Sequence, residues 1–398
     1  MEERPVLTKP RSMAAVILLF AYNGLVVGTY ASSIPILKTK LGLDAIHLAI
    51  MFVLIGVGAL ITMQVSGWVS DRYGARRVCL VTIVPLIIAA TGYAFSPSYP
   101  LLLVAGVFLG IGNGGIDVAM NALAVQVERQ RLERGRGPIM SFFHAQWAIG
   151  SSIGSLGVSL VGTRLGLPPN RTVLVCCLAA AGLGVAVWVA ALVLTPETAP
   201  VSHTTTAGTK AKIPPAAYLM GVMAIAYGLG EGTSFDWSGA HVQTVAQVDP
   251  RAAAWAVTVM TACMVVIRLA GDAIVARIGR RNLVRIGGAV SAAGYLIAAF
   301  AVSFPVLLLA WALVGLGIGV VSPQVYATAG HLAGGRGLAV VTSFGYVTFL
   351  AGPAFTGTLV YLIGIHHTMA VPGILLLGLI PLAGIAMKDP AAGAPTVS

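Results

Sequence analysis

GIGNGGIDVAMN, residues 110–121, decides the fold, because it places an acid inside an apolar run long enough to cross a bilayer as a helix. An acid at bilayer depth costs about 2.5–3.5 kcal/mol to insert, so Asp117 is expected to face a protein interior or a water-filled cavity. Asn121 follows four residues later, on the same helix face. The stretch therefore predicts a polar cavity between helices, unless Asp117 serves only as a hydrogen-bonded packing residue.

Two glycines of the same stretch predict how its helix packs. Gly110 and Gly114 are four residues apart and form a small surface on which another helix can pack closely. The glycine-rich surface and the intramembrane acid together indicate tightly packed, mobile helices around that cavity.

The composition places the chain among membrane proteins with several spans. Its 398 residues are 57% hydrophobic and only 9% charged, whereas a soluble domain has about 25% charged residues. The four cysteines all fall in apolar runs without metal-ligand spacing, so neither a metal site nor a disulfide pattern is expected. The first apolar run, residues 13–37, is too long for a signal-peptide core and is expected to remain as the first span.

The apolar runs predict twelve transmembrane helices. The expected spans are 13–37, 48–69, 78–95, 101–127, 139–163, 172–195, 216–239, 252–275, 286–302, 305–330, 338–364 and 368–387. The polar, threonine-rich segment PETAPVSHTTTAGTKAKI, residues 196–213, is typical of a linker. The sequence thus predicts an all-α membrane protein with a six-helix bundle at 1–195, a cytoplasmic linker at 196–213 and a second six-helix bundle at 214–398.

The basic residues predict the orientation. With the N-terminus in the cytoplasm, 18 of the 24 lysines and arginines fall on the inside, five fall outside, and Arg268 alone lies within a span. The excess of basic residues on the inside predicts that both termini lie in the cytoplasm. It also explains the net charge of +11 as contact with anionic lipid headgroups, so no nucleic-acid partner is expected.

The two halves resemble each other at an offset of 205 residues. The matches are Ala21-Tyr22 with Ala226-Tyr227, Arg72-x-Gly74 with Arg277-x-Gly279, and Gly110-x-Gly112-x-Gly114 with Gly315-x-Gly317-x-Gly319. Two parallel six-span repeats predict a substrate site between the halves, near the middle of the membrane.

Four stretches carry a family resemblance. The loop GWVSDRYGARR, residues 67–77, resembles the loop after span two of the major facilitator superfamily. Three other stretches resemble one branch of that superfamily, the fucose-permease-like bacterial branch. They are GIGNGGIDVAMN, SFFHAQWAIG (residues 141–150) and EGTSFDWSG (residues 231–239). The resemblance implies the major facilitator fold, the bacterial inner membrane and proton-coupled symport of sugars or related solutes. Fucose-type carriers use acids in spans one and four; here span four has Asp117, but span one offers only Asn23 and no acid.

Three residues are candidates for proton coupling. Asp117 and Glu231 are the carboxylates nearest the membrane centre, and either could be the coupling group. Gly230 and Gly232 flank Glu231, and such a stretch can bend a helix and open its backbone to a cavity. His144 could relay protons, or it could be an ordinary packing residue of span five.

Further candidates are aromatic and amide residues that could line the cavity, and charged residues that could close its cytoplasmic end. Rings stack on the CH faces of a sugar, while amides supply donors and acceptors to its hydroxyls. The cavity candidates are Tyr22, Asn23, Asn121, Gln146, Trp147, Tyr227, Asp236, Trp237, Gln324, Tyr326 and Tyr346. The gate candidates are Asp71, Arg72, Arg76, Arg77, Arg268 and Asp272, of which Arg268 and Asp272 are four apart and can pair.

The sequence predicts a transporter that works as a monomer, binds a small molecule and needs no cofactor. It has no G-x-x-x-x-G-K-[ST] phosphate loop, which argues against ATP-driven transport. G-x-S-x-G occurs at 150–154 inside span five, away from the strand-to-helix turn that hydrolases need, so no enzyme is expected. A drug/proton antiporter remains the alternative; antiporters carry a Gly-Pro pair in span five, whereas here Gly352-Pro353 lies in span eleven.

Overall fold

The computed structural model describes residues 10–135, 139–194 and 213–387, and these residues form helices joined by short connections. The helices are α1 (Pro10–Leu41), α2 (Ala45–Tyr73), α3 (Ala75–Phe95), α4 (Tyr99–Glu133), α5 (Met140–Thr163), α6 (Pro169–Leu194), α7 (Pro215–Ala246), α8 (Pro250–Ala253), α9 (Trp255–Phe300), α10 (Phe304–Thr368), α11 (Ala370–Leu377) and α12 (Leu379–Ala386). No β-strand occurs in these residues, so the predicted all-helical class is confirmed.

Two of these helices, α9 and α10, are each longer than a single span, and each changes direction along its length. In α9, Gly279 has a φ of 78°, a left-handed value that favours glycine and interrupts the helix between predicted spans eight and nine. A straight helix of the 65 residues in α10 would measure about 98 Å. Yet a Cβ placed on Gly345 would lie 3.5 Å from the hydroxyl oxygen of Tyr326. The chain of α10 therefore folds back between these residues, as predicted spans ten and eleven require.

Eight helical segments of the described residues are long and apolar enough to cross a membrane, or nine if residues 351–368 and 370–386, bent by 79°, form one span. α5 and α7 have 24 and 32 residues and are long enough as well, and both carry polar side chains of the site described below. The count of twelve spans and the cytoplasmic position of the termini remain predictions.

The helices pack in two groups. In the first, α1 packs on α5 and α6, α2 on α4, and α3 on α4 and α6. In the second, α9 contacts α10, α11 and α12, and α10 also packs on α7. Contacts between the groups join α1 to α7, α2 to α10 and α5 to α9. Residues 196–212 of the predicted linker lie outside the described residues, so the division at 196–213 stays a prediction.

The internal repeat extends to the helix packing. A Cβ added at Gly110 or Gly114, the two glycines predicted to form a close packing surface on α4, would overlap the backbone of α2. The prediction that a helix packs there is therefore confirmed. The equivalent glycines of α10 meet α9 in the same register, since each glycine contacts the residue 55 positions before it. The contacts are Gly110 on Ile55, Gly114 on Ala59, Gly315 on Met260 and Gly319 on Met264. The offset of 205 residues therefore describes the structure as well as the sequence.

Glycines also bring α1 and α5 together. A Cβ on Gly24 would overlap the carbonyl oxygen of Trp147, and a Cβ on Gly150 would overlap that of Ala21. Gly154 likewise has no room for a side chain beside α1. These glycines thus set the depth and rotation of Trp147 against α1.

The substitution Gly150→Ala tests this packing. The new methyl group would collide with the carbonyl of Ala21, and overpacking of this kind costs about 1–3 kcal/mol. We expect a lower melting temperature of the purified protein in detergent. Gly157→Ala on the same helix is the matched control, because nothing lies within 4 Å of its new Cβ. An equal melting temperature for the two variants would contradict the packing described for α1 and α5.

Candidate functional site

A cavity of about 350 Å³ lies between the two groups of helices, lined by α1, α2, α4, α5, α7 and α10. This volume is within the usual range of about 300–1,000 Å³ for small-molecule sites. Eight of the residues expected from the sequence line it: Asn23, Asp117, Trp147, Tyr227, Glu231, Asp236, Trp237 and Tyr326.

Glu231 pairs with an arginine of the same helix group. Nη2 of Arg268 lies 3.4 Å from Oε1 of Glu231, and the two side chains are 10% and 25% exposed. Nε of Arg268 also donates a hydrogen bond of 3.2 Å to the carbonyl of Gly319. The sequence predicted a pair between Arg268 and Asp272, whose side chain lies outside the described residues. Glu231 is therefore an acidic partner of Arg268 that the sequence did not predict, and it lines the cavity.

Asp117 has an amide as its neighbour rather than a cation. Nδ2 of Asn121 donates to Oδ1 of Asp117 at 3.2 Å and to the Asp117 carbonyl at 2.8 Å. Among the described residues no lysine, arginine or histidine forms an ion pair with Asp117. Within the described part of the chain, its ionised form is therefore supported by an amide dipole and not by a cation.

A chain of polar contacts crosses the cavity at Trp147. Nε1 of Trp147 donates a 2.6 Å hydrogen bond to Oδ1 of Asn23, which is only 1% exposed. Nδ2 of Asn23 donates in turn to Oδ1 of Asn113 at 2.9 Å. On the other side, the Arg268 guanidinium lies 5.9 Å from the centre of the Trp147 ring, a cation–π distance. Trp147 therefore contacts both the amide pair of the first group and the ion pair of the second.

Asn113 was not predicted from the sequence, although a signal for it exists. Asn113, Asp117 and Asn121 are spaced by four residues, so they share one face of α4. Three polar residues with this spacing in an otherwise apolar helix indicate a polar face. Glu128 was also missed: its Oε2 accepts from the backbone N–H groups of Ile139 and Met140 at 2.7 and 2.8 Å. That carboxylate holds the start of α5 against α4.

Five predicted cavity or coupling residues do not line this cavity: Tyr22, Asn121, His144, Gln146 and Gln324. Tyr22 is 1% exposed and Gln324 7% exposed, so both are packed among helices. His144 lies exposed near the start of α5, edge-on to Phe20 at 5.4 Å. The side chain of Tyr346 lies outside the described residues. Roles for these six residues remain predictions.

Four of the predicted gate residues lie at the end of α2 and the start of α3 rather than in a loop, and Arg72 and Arg76 contact their own helix group. The guanidinium of Arg72 lies 5.7 Å from the ring centres of Trp68 and Tyr73. Nη2 of Arg76 donates to the carbonyl of Leu192 at 2.8 Å, and Arg77 is exposed. The side chain of Asp71 is outside the described residues. A gating role for these four residues stays a prediction.

Hydrogen bonds between the two groups close one end of the cavity. Ser159 and Thr258 lie 2.8 Å apart at their hydroxyl oxygens, and Ser155 and Thr261 lie 3.2 Å apart. Nζ of Lys38 donates to Oγ1 of Thr244 at 2.9 Å. These contacts lie where α1, α5 and α7 end, whereas exposed His144 lies at the opposite end of α5.

Arg251 adds a further contact at the closed end. Its Nη1 donates to the carbonyl of Leu167 at 3.0 Å, which joins the connection before α6 to α8. The side chain of Arg251 also bonds both oxygens of Asp249, and these bonds hold the pKa of that carboxyl below its ordinary value. The carboxylate stays charged at neutral pH and keeps Arg251 in place.

Comparison with known proteins identifies relatives along nearly the whole chain. A family model described as Major Facilitator Superfamily matches residues 16–235 and again residues 217–398. A transporter of Sinorhizobium fredii, y4wD, is 31% identical over 361 residues, which are 89% of this chain and 92% of that protein. An MFS-type transporter of Yersinia pestis is 29% identical over 369 residues, 90% of this chain and 92% of that protein.

A solved structure has a similar fold. The crystal structure of the nucleoside transporter NupG superposes with a TM-score of 0.67, covering 94% of this chain and 98% of that one. The sequences are 14% identical, so the likeness concerns the fold alone.

A double-mutant cycle tests the pair of Arg268 and Glu231. Arg268→Gln leaves the Glu231 carboxylate without its cation, and a buried charge without a partner costs about 1–3 kcal/mol or more. We expect Arg268→Gln to lower the melting temperature, and the double variant Glu231→Gln, Arg268→Gln to recover most of the loss. Additive losses in the double variant would show that the two side chains do not interact.

Proposed function

The chain belongs to the Major Facilitator Superfamily, and from that premise we propose that it is a proton-coupled symporter of a small polar solute. Its relatives are transporters, and a secondary transporter moves a small molecule. The observation that carries the proposal is the placement of carboxylates from both helix groups, Asp117 and Glu231, in one cavity between them. A carboxylate in such a place can hold a proton on one side of a membrane and release it on the other.

The asymmetry of the cavity supports alternating access. Serine and threonine pairs join the two groups at one end, while the other end leaves His144 exposed. Rocking of one group against the other would break these hydrogen bonds and open the closed end. We propose that both termini lie in the cytoplasm, which places the hydrogen-bonded end of the cavity on the outside.

The contacts of the two acids suggest how a proton couples to this motion. Arg268 neutralises Glu231 when the carboxylate is charged, and protonation of Glu231 removes the charge that holds the guanidinium there. Asp117 has an amide neighbour and no cation partner among the described residues, so its protonation removes a charge that no counter-ion there balances. Protonation of either acid lowers the cost of closing the cavity around the solute.

The remaining parts of the proposal concern location and architecture. We place the protein in a bacterial inner membrane as a monomer of two six-helix bundles, residues 1–195 and 214–398, with a cytoplasmic linker. The bacterial relatives and the excess of basic residues on the predicted cytoplasmic side support this placement. We also retain membership of the fucose-permease-like branch as part of the proposal.

A drug/proton antiporter is the second candidate. The observation in its favour is the aromatic wall of the cavity, which includes Phe52, Trp147, Phe235 and Tyr326. Aromatic walls suit apolar or cationic drugs as well as sugar rings. The direction of solute movement under a pH gradient separates the two candidates.

Transport assays in proteoliposomes test the coupling. An inward pH gradient, acid outside, should drive accumulation of a neutral solute, and a protonophore should reduce this to equilibration. Asp117→Asn or Glu231→Gln should abolish accumulation, because neither variant can carry a proton at that position.

Asp44→Asn is the matched control for these variants. It removes one exposed negative charge outside the cavity and keeps the N-cap of α2, where Asp44 accepts from the backbone N–H of His47 at 2.9 Å. Accumulation that survives the protonophore, or that persists in both cavity variants, would contradict proton coupling. Expulsion of solute under the same gradient would support antiport.

A disulfide tests alternating access. Ser159→Cys with Thr258→Cys, in a background without the native cysteines, places two sulfurs where the hydroxyls are now 2.8 Å apart. Oxidation should lock the closed end and reduce transport at least tenfold, and a reductant should restore it. Each single cysteine variant should be insensitive to oxidation. Undiminished transport by the fully cross-linked protein would contradict the opening of this end.

A further inference from the structure

A groove separate from the cavity lies between α3 and α4, next to the short connection that joins them. Its volume is about 200 Å³, and it shares no lining residue with the cavity. Ile88, Phe95, Leu101 and Val104 form its sides and are exposed. Both helices carry segments long and apolar enough to cross a membrane, so these exposed apolar side chains face lipid.

The groove begins at the membrane surface and extends into the hydrocarbon region. The apolar segment of α3 ends at Phe95 and that of α4 begins at Tyr99, so the connection between them marks the surface. Ile88 lies seven residues before Phe95, which places the far end of the groove about 10 Å deeper. The groove is therefore aligned with the acyl chains of the surrounding lipid.

The interior of the groove suits hydrocarbon rather than a polar solute. Gly92 and Ala105 line it, and a Cβ placed on Gly92 would lie 2.7 Å from that of Ala105, so the two helices meet closely there. Ser96 also lines the groove, but its hydroxyl donates to the carbonyl of Gly92 at 2.6 Å. Its carbonyl accepts a hydrogen bond from Lys40 at 2.7 Å. Both polar groups of this serine side chain and carbonyl are thus bonded within the protein.

Lys40 places a cation at the surface end of the groove. Its Nζ bonds the Ser96 carbonyl, and an ammonium group has three N–H donors, so two remain for another acceptor. The side chain is exposed, and in the described part of the chain no carboxylate forms an ion pair with it. The N-terminus of α4, at Tyr99, adds the positive end of a helix dipole at the same level.

One acid lies at this end of the first helix group, and it is occupied. Oδ1 of Asp44 accepts from the backbone N–H of His47 at 2.9 Å and lies 2.7 Å from Nδ1 of the same residue. The hydroxyl of Tyr99 in turn donates to the His47 carbonyl at 2.8 Å. The carboxylate is therefore directed at the start of α2 and leaves the charge of Lys40 available.

The combination of groove and cation selects the ligand. An apolar groove that ends in an ammonium group fits an amphiphile with a hydrocarbon chain and an anionic headgroup. A free phosphate would contact Lys40 but leave the groove empty. A zwitterionic lipid would fill the groove, but its own cationic group would be repelled by Lys40. A phospholipid with a net negative headgroup satisfies both parts.

We propose that the groove between α3 and α4 binds one acyl chain of an anionic phospholipid whose phosphate lies on Lys40. Such a lipid would connect α1, which carries Lys40, to α3 and α4. Lys40 follows two residues after Lys38, whose bond to Thr244 lies at the closed end of the cavity. The lipid therefore belongs to the leaflet at that end. The inference does not depend on which solute or ion the cavity carries.

Lipid-binding measurements on the purified full-length protein, stripped of lipid in a neutral detergent, test the site. The probes are phosphatidylglycerol, phosphatidylethanolamine and phosphatidylcholine with the same acyl chains, and glycerol 3-phosphate as a free anion. Native mass spectrometry measures the affinity for the first bound lipid, and thermal shift measures its effect on stability. We expect phosphatidylglycerol to bind most tightly and glycerol 3-phosphate to give no thermal shift.

The headgroup contact is tested by charge variants. Lys40→Gln should weaken binding of phosphatidylglycerol about fivefold and leave binding of phosphatidylcholine unchanged, since it removes one cation next to the phosphate. Lys40→Arg should retain the preference for the anionic lipid. Arg164→Gln is the matched control, because Arg164 is an exposed cation at the end of α5 and does not line the groove.

The acyl-chain contact is tested by filling the groove. Val104→Trp should weaken binding of phosphatidylglycerol about tenfold, because the indole takes the space of the chain. Val81→Trp is the matched control: Val81 is an exposed valine of α3 outside the groove. Since Val104→Trp leaves Lys40 in place, it tests the site even if Lys40→Gln lowers the stability of the protein.

Four results would overturn the proposal. They are equal affinities of Lys40→Gln and Arg164→Gln for phosphatidylglycerol, equal affinities of Val104→Trp and Val81→Trp, zwitterionic lipids that bind as tightly as phosphatidylglycerol, and a thermal shift by glycerol 3-phosphate as large as that by the lipid. None of these results would affect proton coupling, which is measured with the cavity variants.

Discussion

The structure depends on one constraint: a carboxylate within the hydrocarbon region of a membrane needs polar surroundings. Each such acid costs about 2.5–3.5 kcal/mol to insert, and in lipid it would have no hydrogen-bond partners. Asp117, Glu231 and Asp236 meet this constraint by facing one cavity between two groups of helices. The cavity lies between the groups, where α4 supplies Asp117 and α7 supplies Glu231 and Asp236 to one lining.

Close helix packing makes this arrangement specific. Glycines bring α1 and α5 together, so Trp147 can donate to Asn23 while its ring faces the Arg268 guanidinium. The glycine contacts between α2 and α4 recur 205 residues later between α9 and α10, so this pair of helices packs alike in the two groups. The repeat explains why the site is shared: each half supplies similar helices, but the polar residues differ between them. Asp117 has an amide partner, whereas Glu231 has a cation.

Much of the fold could be predicted from the sequence, since hydropathy and glycine spacing are local properties. The apolar runs, the intramembrane acids and the small surface of Gly110 and Gly114 all required only neighbouring residues. The partner of Glu231 could not be found this way, because Arg268 is 37 positions away and reaches it through tertiary packing. Asn113 followed a readable spacing and was missed. Nε1 of Trp237 makes no hydrogen bond to any described residue, and this becomes visible only when every neighbour of the buried atom is known.

The most direct test of the shared cavity is the reactivity of single cysteines with a membrane-impermeant thiol reagent, in protein without its native cysteines. Ser322 lines the cavity, whereas Ser155 is fully buried at the closed end and bonded to Thr261. The account predicts that Ser322→Cys reacts from the open side much faster than Ser155→Cys does from either side. A Ser322→Cys that reacts no faster than Ser155→Cys would contradict a water-filled chamber between the two groups of helices.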